Sequence, residues 1–346
     1  MKQEIPVPIS GGLILSYKCN AVCRHCMYGC SPRWSADWIS EEDLEIILEQ
    51  LAQTIAPSPY GPDKVTLSHG LHFTGGEPFL NFDLLCKAVQ MAESLKIPST
   101  FVETNCFWCR TDEETRDKLL YLRTLGLKGI LISVNPFYLE YVPFERTKRC
   151  IRISSEIFEH NMMVYQIEFF RRFQKKGIKD RLPLAEYIEM EGGLDFLNYM
   201  EFFMMGRAVY GLGDLVSSKF PRYKAKQLFK SPCIPTFLRN WHNHFDNYGN
   251  YIPGFCGGIT LGDCRNLMGL LTEGIDLTSF PILKFLIEQD FKSFFHFTKD
   301  LGYQEDPEGY FSKCHLCLDM RKYLIKKEYY FQELKPKEFY EHLEDV

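Results

Sequence analysis

The chain has 346 residues, 45% apolar and 25% charged, a globular composition that excludes wholesale disorder and a membrane-embedded bundle. Lys and Arg number 40 and Asp and Glu 45, so the formal net charge of −5 offers no overall electrostatic footprint for nucleic acid or an anionic membrane. Thirteen cysteines are the unusual item: the count is odd, and a chain of this length needs no disulfides to fold.

In chain order, residues 12–17 read as a first strand. Ser40 opens a helix whose apolar positions Leu44, Ile47, Leu48, Leu51 and Ile55 follow helical spacing. Residues 69–73 form a second strand, ended by Gly75-Gly76, and Asn81 caps a helix to residue 95. A third strand at 100–102 precedes a helix from Thr111 to Leu125, closed by Gly126. A fourth strand occupies 129–134, then a helix 145–161, a strand 163–167 and a sixth strand 198–204. This alternation specifies an α/β fold with a parallel sheet and helical crossovers, of about six βα repeats.

Beyond Gly211-Leu212-Gly213 the chain is richer in Pro, Gly and aromatic residues, with a turn at Asp246–Asn250. The expected organisation is one domain over 1–215 and a cysteine-rich one over 216–346. No apolar run reaches the ~20 residues that span a bilayer, and the start MKQEIPVPIS lacks a secretory apolar core. The expected compartment is a reducing cytoplasm, where clustered cysteines point to metal or redox chemistry.

Cys19, Cys23 and Cys26 form C-x3-C-x2-C directly after the first strand. Three thiolates on one tight loop can hold three irons of a [4Fe–4S] cube and leave the fourth open. A zinc site completed by Cys30 or His25 is the alternative on spacing alone. Downstream, Thr74-Gly75-Gly76-Glu77-Pro78 ends the second strand, Glu103-Thr104-Asn105 the third and Ser133 the fourth, and Gly206-Arg207-Ala208 follows the sixth.

Together these segments, over about residues 10–210, resemble the radical S-adenosylmethionine (SAM) superfamily. His25 stands where that family usually has an aromatic residue, and Cys106 replaces the glycine of its Thr-Asn-Gly. The resemblance implies an open (β/α)6 partial barrel and a catalytic [4Fe–4S] cluster on Cys19, Cys23 and Cys26. It also implies SAM contacts from Gly75, Gly76, Glu77, Asn105, Ser133, Gly206, Arg207 and Ala208. SAM bound there is cleaved to a 5′-deoxyadenosyl radical that abstracts hydrogen from a substrate. Gly75 and Gly76, without Cβ atoms, are expected to let the backbone come close to the methionine moiety. The implied partners are a peptide or small-molecule substrate and a reducing donor such as ferredoxin or flavodoxin, with no nucleic acid and no membrane.

Cys314-His315-Leu316-Cys317 is a late C-x2-C that needs ligands from elsewhere; Cys233 and Cys256 are the best candidates, with Cys264 competing. The arrangement resembles the SPASM and twitch extensions of radical SAM enzymes and implies one auxiliary [4Fe–4S] cluster, a zinc ribbon being the alternative. Cys106 and Cys109 form another C-x2-C, readable as a metal or redox pair or as packed loop residues. Cys86 and Cys150 read as core or surface. His242 and His244 would share one strand face, able to bind a metal or to face solvent. The favoured substrate is a peptide or protein side chain. A small metabolite or nucleoside, and a metal-bearing scaffold without SAM turnover, are the alternatives.

Overall fold

The structure is a computed structural model that describes residues 2–35, 37–201, 203–233 and 237–345. Its centre is a seven-stranded sheet. The strands are β1 (Ser10–Ile14), β2 (Gly70–Thr74), β3 (Phe101–Thr104), β4 (Gly129–Ser133), β5 (Met162–Tyr165), β6 (Asn243–Asp246) and β7 (Tyr251–Ile252). The spatial order is β5-β4-β3-β2-β1-β6-β7, with every pair parallel except the β6–β7 hairpin. The sheet is open, with β5 and β7 at its edges.

The crossover helices form where the sequence marks them. Ser40 accepts from the Asp43 amide to cap α1 (Glu41–Leu51), and Asn81 accepts from Leu84 to cap α2 (Phe82–Ser94). Thr111 accepts from Glu114 to cap α3 (Asp112–Thr124). Each cap satisfies one of the orphan amides of a helix N-terminus. The next helix, α4 (Phe144–Phe158), buries Cys150, Ile153 and Ile157 on one face. Among the described residues no helix is long and apolar enough to cross a membrane.

One expectation is corrected. Residues 198–204 are not a strand: a 3-10 helix, Leu194–Tyr199, leads into irregular chain, and Phe202 lies outside the described residues. The sixth parallel strand is instead β6, which pairs with β1 in the register Gly12↔His244. Residues past 215 therefore complete the same sheet, and one apolar core runs from Leu13 through Phe245 to Leu324. The C-terminal tail packs back on the protein through a short helix, Glu338–Glu341, and a 3-10 turn that bury Phe339, Tyr340 and Leu343.

Candidate functional site

The first cysteine loop leaves the C-terminal end of β1. It is closed on itself where the Cys19 amide donates to Ser31 O (3.2 Å), and tightened where Cys26 N donates to Cys23 O (3.1 Å). The Cys30 amide donates to Cys26 Sγ at 3.3 Å. Asn105, at the end of β3, donates from Nδ2 to Asn20 Oδ1 (2.8 Å) and lies 4.0 Å from Cys19 Sγ. Cys19 and Cys23 are buried, and burial pushes both thiols up. Cys26 is drawn down to about 6, chiefly by its hydrogen bond with Cys30 and also by the Arg207 cation.

Among the described residues these three sulfurs do not all come within 4.8 Å of one another, whereas those of Cys106, Cys109 and Cys150 do. A single tetrahedral zinc at ~2.3 Å from each sulfur would need them roughly 3.8 Å apart. A cube takes one thiolate per iron, and the loop supplies three.

The Gly-Gly pair at the end of β2 carries this loop. Gly76 N donates to Ser16 O (2.8 Å) and Glu77 N to Lys18 O (3.1 Å). A Cβ on Gly76 would sit 1.9 Å from Lys18 O and 2.9 Å from Cys19 N. The close approach is thus to the backbone that presents Cys19, a contact the sequence reading did not foresee. Glu77 is buried, and its carboxylate accepts from Thr104 Oγ1 (2.9 Å), Asn105 N (2.8 Å) and Phe79 N (3.3 Å). Burial pushes it up to about 7 against the pull of those donors. Ser133, at the end of β4, lines a small cavity of about 200 Å³ with Asn135 and Tyr138. His25 stacks on Phe137 (centroids 4.7 Å apart), and its Nε2 lies 3.1 Å from Asn135 Nδ2. It fills the aromatic position of the loop as an aromatic ring.

Gly206, Arg207 and Ala208 dock under the same loop. A Cβ on Gly206 (φ +57°) would meet Cys26 O and Met27 O at 2.6–2.7 Å. Arg207 is fully buried. Its guanidinium donates to the carbonyls of Cys23 (3.1 Å), Gly29 (2.6 Å), Cys30 (2.9 Å) and His342 (3.0 Å), and its amide donates to Cys26 O. All three guanidinium nitrogens are spent on main-chain carbonyls, so Arg207 pins the loop and the C-terminal tail together. Ala208 is buried and packs in the following turn.

The second cysteine group comes from three separated segments. Cys233, Cys256, Cys314 and Cys317 all line one cavity of about 530 Å³, among Phe237, Ile259, Leu286 and Phe339. Cys314 lies in the first turn of α5 (Lys313–Lys326), capped by Ser312, where the positive helix end favours a thiolate, and Cys317 opens the next turn. Arg321, one turn on from Cys317, donates to Gly257 O (2.9 Å), and its charge opposes the upward push that burial gives Cys256 and Cys317. Met27, next to Cys26, lines this cavity too, so the two cysteine groups share a wall. Cys264 is buried elsewhere, its amide donating to Gly249 O.

Cys106 and Cys109 are fully buried with Cys150, which the sequence did not associate with them. His244 is buried rather than solvent-facing, and His72, which no motif singles out, stands beside it and His242.

No family model matches the chain. Over 144 residues it is 23% identical to a Bacillus subtilis (strain 168) protein described as "Putative peptide biosynthesis protein YydG"; the match spans 40% of each chain. Among solved structures, "Native anSMEcpe with bound AdoMet" aligns with a TM-score of 0.45 and 12% identity, over 92% of this chain and 98% of that one. "BtrN in complex with AdoMet and 2-DOIA" aligns with a TM-score of 0.43 and 14% identity, over 78% and 83%.

Proposed function

We propose that this chain is a radical SAM enzyme, with a catalytic [4Fe–4S] cluster on Cys19, Cys23 and Cys26 and one auxiliary cluster on Cys233, Cys256, Cys314 and Cys317. The carrying observation is the first loop: three thiols within eight consecutive residues, at the C-terminal end of β1, beside the ends of β2 and β3. Strand C-termini are where open α/β sheets place their ligands. Once bound, the cluster and SAM supply a 5′-deoxyadenosyl radical, and the hydrogen abstraction is the cofactor's chemistry.

The chain's own residues hold and orient. Gly76 and Gly206 let two backbone segments close against the loop, and Arg207 fixes four carbonyls of the loop and tail. Asn105 and the Cys30 amide direct N–H groups toward Cys19 and Cys26 sulfur, contacts that tune a cluster's potential. Glu77 ties the end of β2 to that of β3, which leaves Ser133 and the glycine backbone as the nearer candidates for polar SAM contacts. The auxiliary site has four thiols and no open position, which suits electron transfer or substrate placement. A reducing donor such as ferredoxin or flavodoxin would supply the electron for SAM cleavage, and the residues after 215 would carry the auxiliary cysteines.

The proposed substrate is a peptide or protein side chain, supported by the description of the Bacillus relative, of which this chain matches less than half. The reading is tested with anaerobically reconstituted, dithionite-reduced chain and SAM. Release of 5′-deoxyadenosine is expected. A fully loaded loop cluster that never cleaves SAM, with or without candidate peptides, would overturn the enzyme reading.

A further inference from the structure

A second constellation lies lower in the sheet and is used by none of this. His72, in the middle of β2, and His244, in β6, both stand opposite Gly12 of β1 in register, so their side chains share one face. His242 precedes β6 by one residue and follows the same period of two. His72 and His244 are 1% and 3% exposed, and His242 is partly exposed. One ring nitrogen from each lies within 4.8 Å of the other two. The ring centres form a near-regular triangle with sides of 5.2, 5.2 and 5.6 Å. Three imidazoles around one tetrahedral ion, at ~2.0–2.1 Å from each nitrogen, have centres roughly 5.2 Å apart.

The hydrogen bonds leave nitrogens over for such an ion. His242 Nδ1 faces Leu67 O (3.1 Å), and His244 Nδ1 faces both Gly254 O (2.9 Å) and the Tyr28 hydroxyl (2.9 Å); a proton on each Nδ1 satisfies the two carbonyls and leaves the lone pair on Nε2. A backbone carbonyl behind a ligating imidazole is the usual support of a metal-bound histidine. His72 Nε2 is buried and has no hydrogen-bond partner. An orphaned ring nitrogen inside a protein is costly, and a cation would satisfy it. The His72 ring is held flat on Phe101 (centroids 5.0 Å apart, 21° between planes). A Cβ on Gly12 would lie 2.4 Å from His72 Nε2 and 2.8 Å from His244 Cδ2, so the absent side chain is the room the rings occupy.

A carboxyl group stands beside the triangle. Glu103 Oε1 lies 3.5 Å from His72 Nε2, its other oxygen accepting from Thr74 Oγ1 (2.7 Å). Arg239 is stacked on Trp241 and Phe255 and donates to His242 O.

We propose that His72, His242 and His244 bind one divalent cation of the zinc class through their imidazole nitrogens, with the fourth position open. The cysteine loop leaves the C-terminal end of β1, whereas His242 enters at the N-terminal end of β6, so this site is separate from that loop; on the side of the second group Phe255, next to Cys256, packs on His242 (centroids 5.0 Å apart). An imidazole-only protein shell suits zinc and neighbouring first-row dications and does not suit an iron–sulfur cluster.

The test uses the full chain, purified anaerobically with its native iron, given one equivalent of zinc and measured by zinc-edge X-ray absorption. The expected result is one zinc per chain with nitrogen or oxygen neighbours at ~2.0–2.1 Å and no sulfur at ~2.3 Å. His242→Gln should weaken zinc binding at least about ten-fold, a loss that even second-layer changes can cause. Iron content should stay constant, and Cys150→Ser should leave zinc binding unchanged. A shell containing sulfur, no zinc bound, or undiminished binding in His242→Gln overturns the proposal. If the variant fails to fold, the wild-type spectrum decides alone.

Discussion

The two cysteine groups are built in opposite ways. Cys19, Cys23 and Cys26 come from eight consecutive residues and are held by main-chain hydrogen bonds, a glycine pair and one buried arginine. Cys233, Cys256, Cys314 and Cys317 come from three segments up to 84 positions apart and converge only because α5 and the β7 region meet around a mostly apolar cavity. A contiguous site inherits its geometry from local backbone bonds. A dispersed site inherits it from the packing of the whole C-terminal third.

The largest effect should come from removing each group in turn. The Cys19/Cys23/Cys26→Ala variant should lose all 5′-deoxyadenosine formation and keep about four irons per chain. The Cys314/Cys317→Ala variant should lose a similar amount of iron yet still cleave SAM without peptide. Iron assays and product chromatography read both; equal behaviour of the two variants would erase the distinction.

Next comes Gly76→Val. Its side chain collides with the Lys18–Cys19 backbone, so it should destabilise the fold by about 1–3 kcal/mol and cost loop iron while the second group keeps its own. Denaturant unfolding and iron content measure this, and a variant with full loop iron and weakened SAM binding alone would place the collision elsewhere. Arg207→Met removes a cation that four carbonyls accept from, and should cost about 3 kcal/mol. The second cavity, which Arg207 does not line, should bind its metal as before.

The last effect is a pH dependence. Burial raises Glu77 from its ordinary 4.5 to about 7. The folded state therefore favours the protonated acid. Its stabilising share is complete below about pH 4.5 and is lost as pH rises through 7. Glu77→Gln should flatten the stability profile over that window by roughly 1–3 kcal/mol, at about 1.4 kcal/mol per pH unit. Unfolding curves at pH 5 and pH 8 test it; an unchanged slope would mean the three donors around the carboxylate outweigh burial.

The sequence by itself determined whatever a short stretch of backbone decides. The caps at Ser40, Asn81 and Thr111, the first five parallel strands, the contiguous cysteine loop and the glycine pair beneath it are all legible there, because each depends on residues within a few positions of one another. The four cysteines of the second cavity were also nameable, though only as a set of spacings carried by a resemblance. Tertiary structure decided the rest. It replaced the expected strand at 198–204 with β6 on the other side of β1, gave Arg207 the loop carbonyls, brought Cys150 to Cys106 and Cys109, and set His72 beside His242 and His244. The physical reason is register: which side chains meet across a parallel sheet depends on how far each strand slides before its amides pair. That offset is fixed by the packing of the crossover elements and leaves no mark in local periodicity.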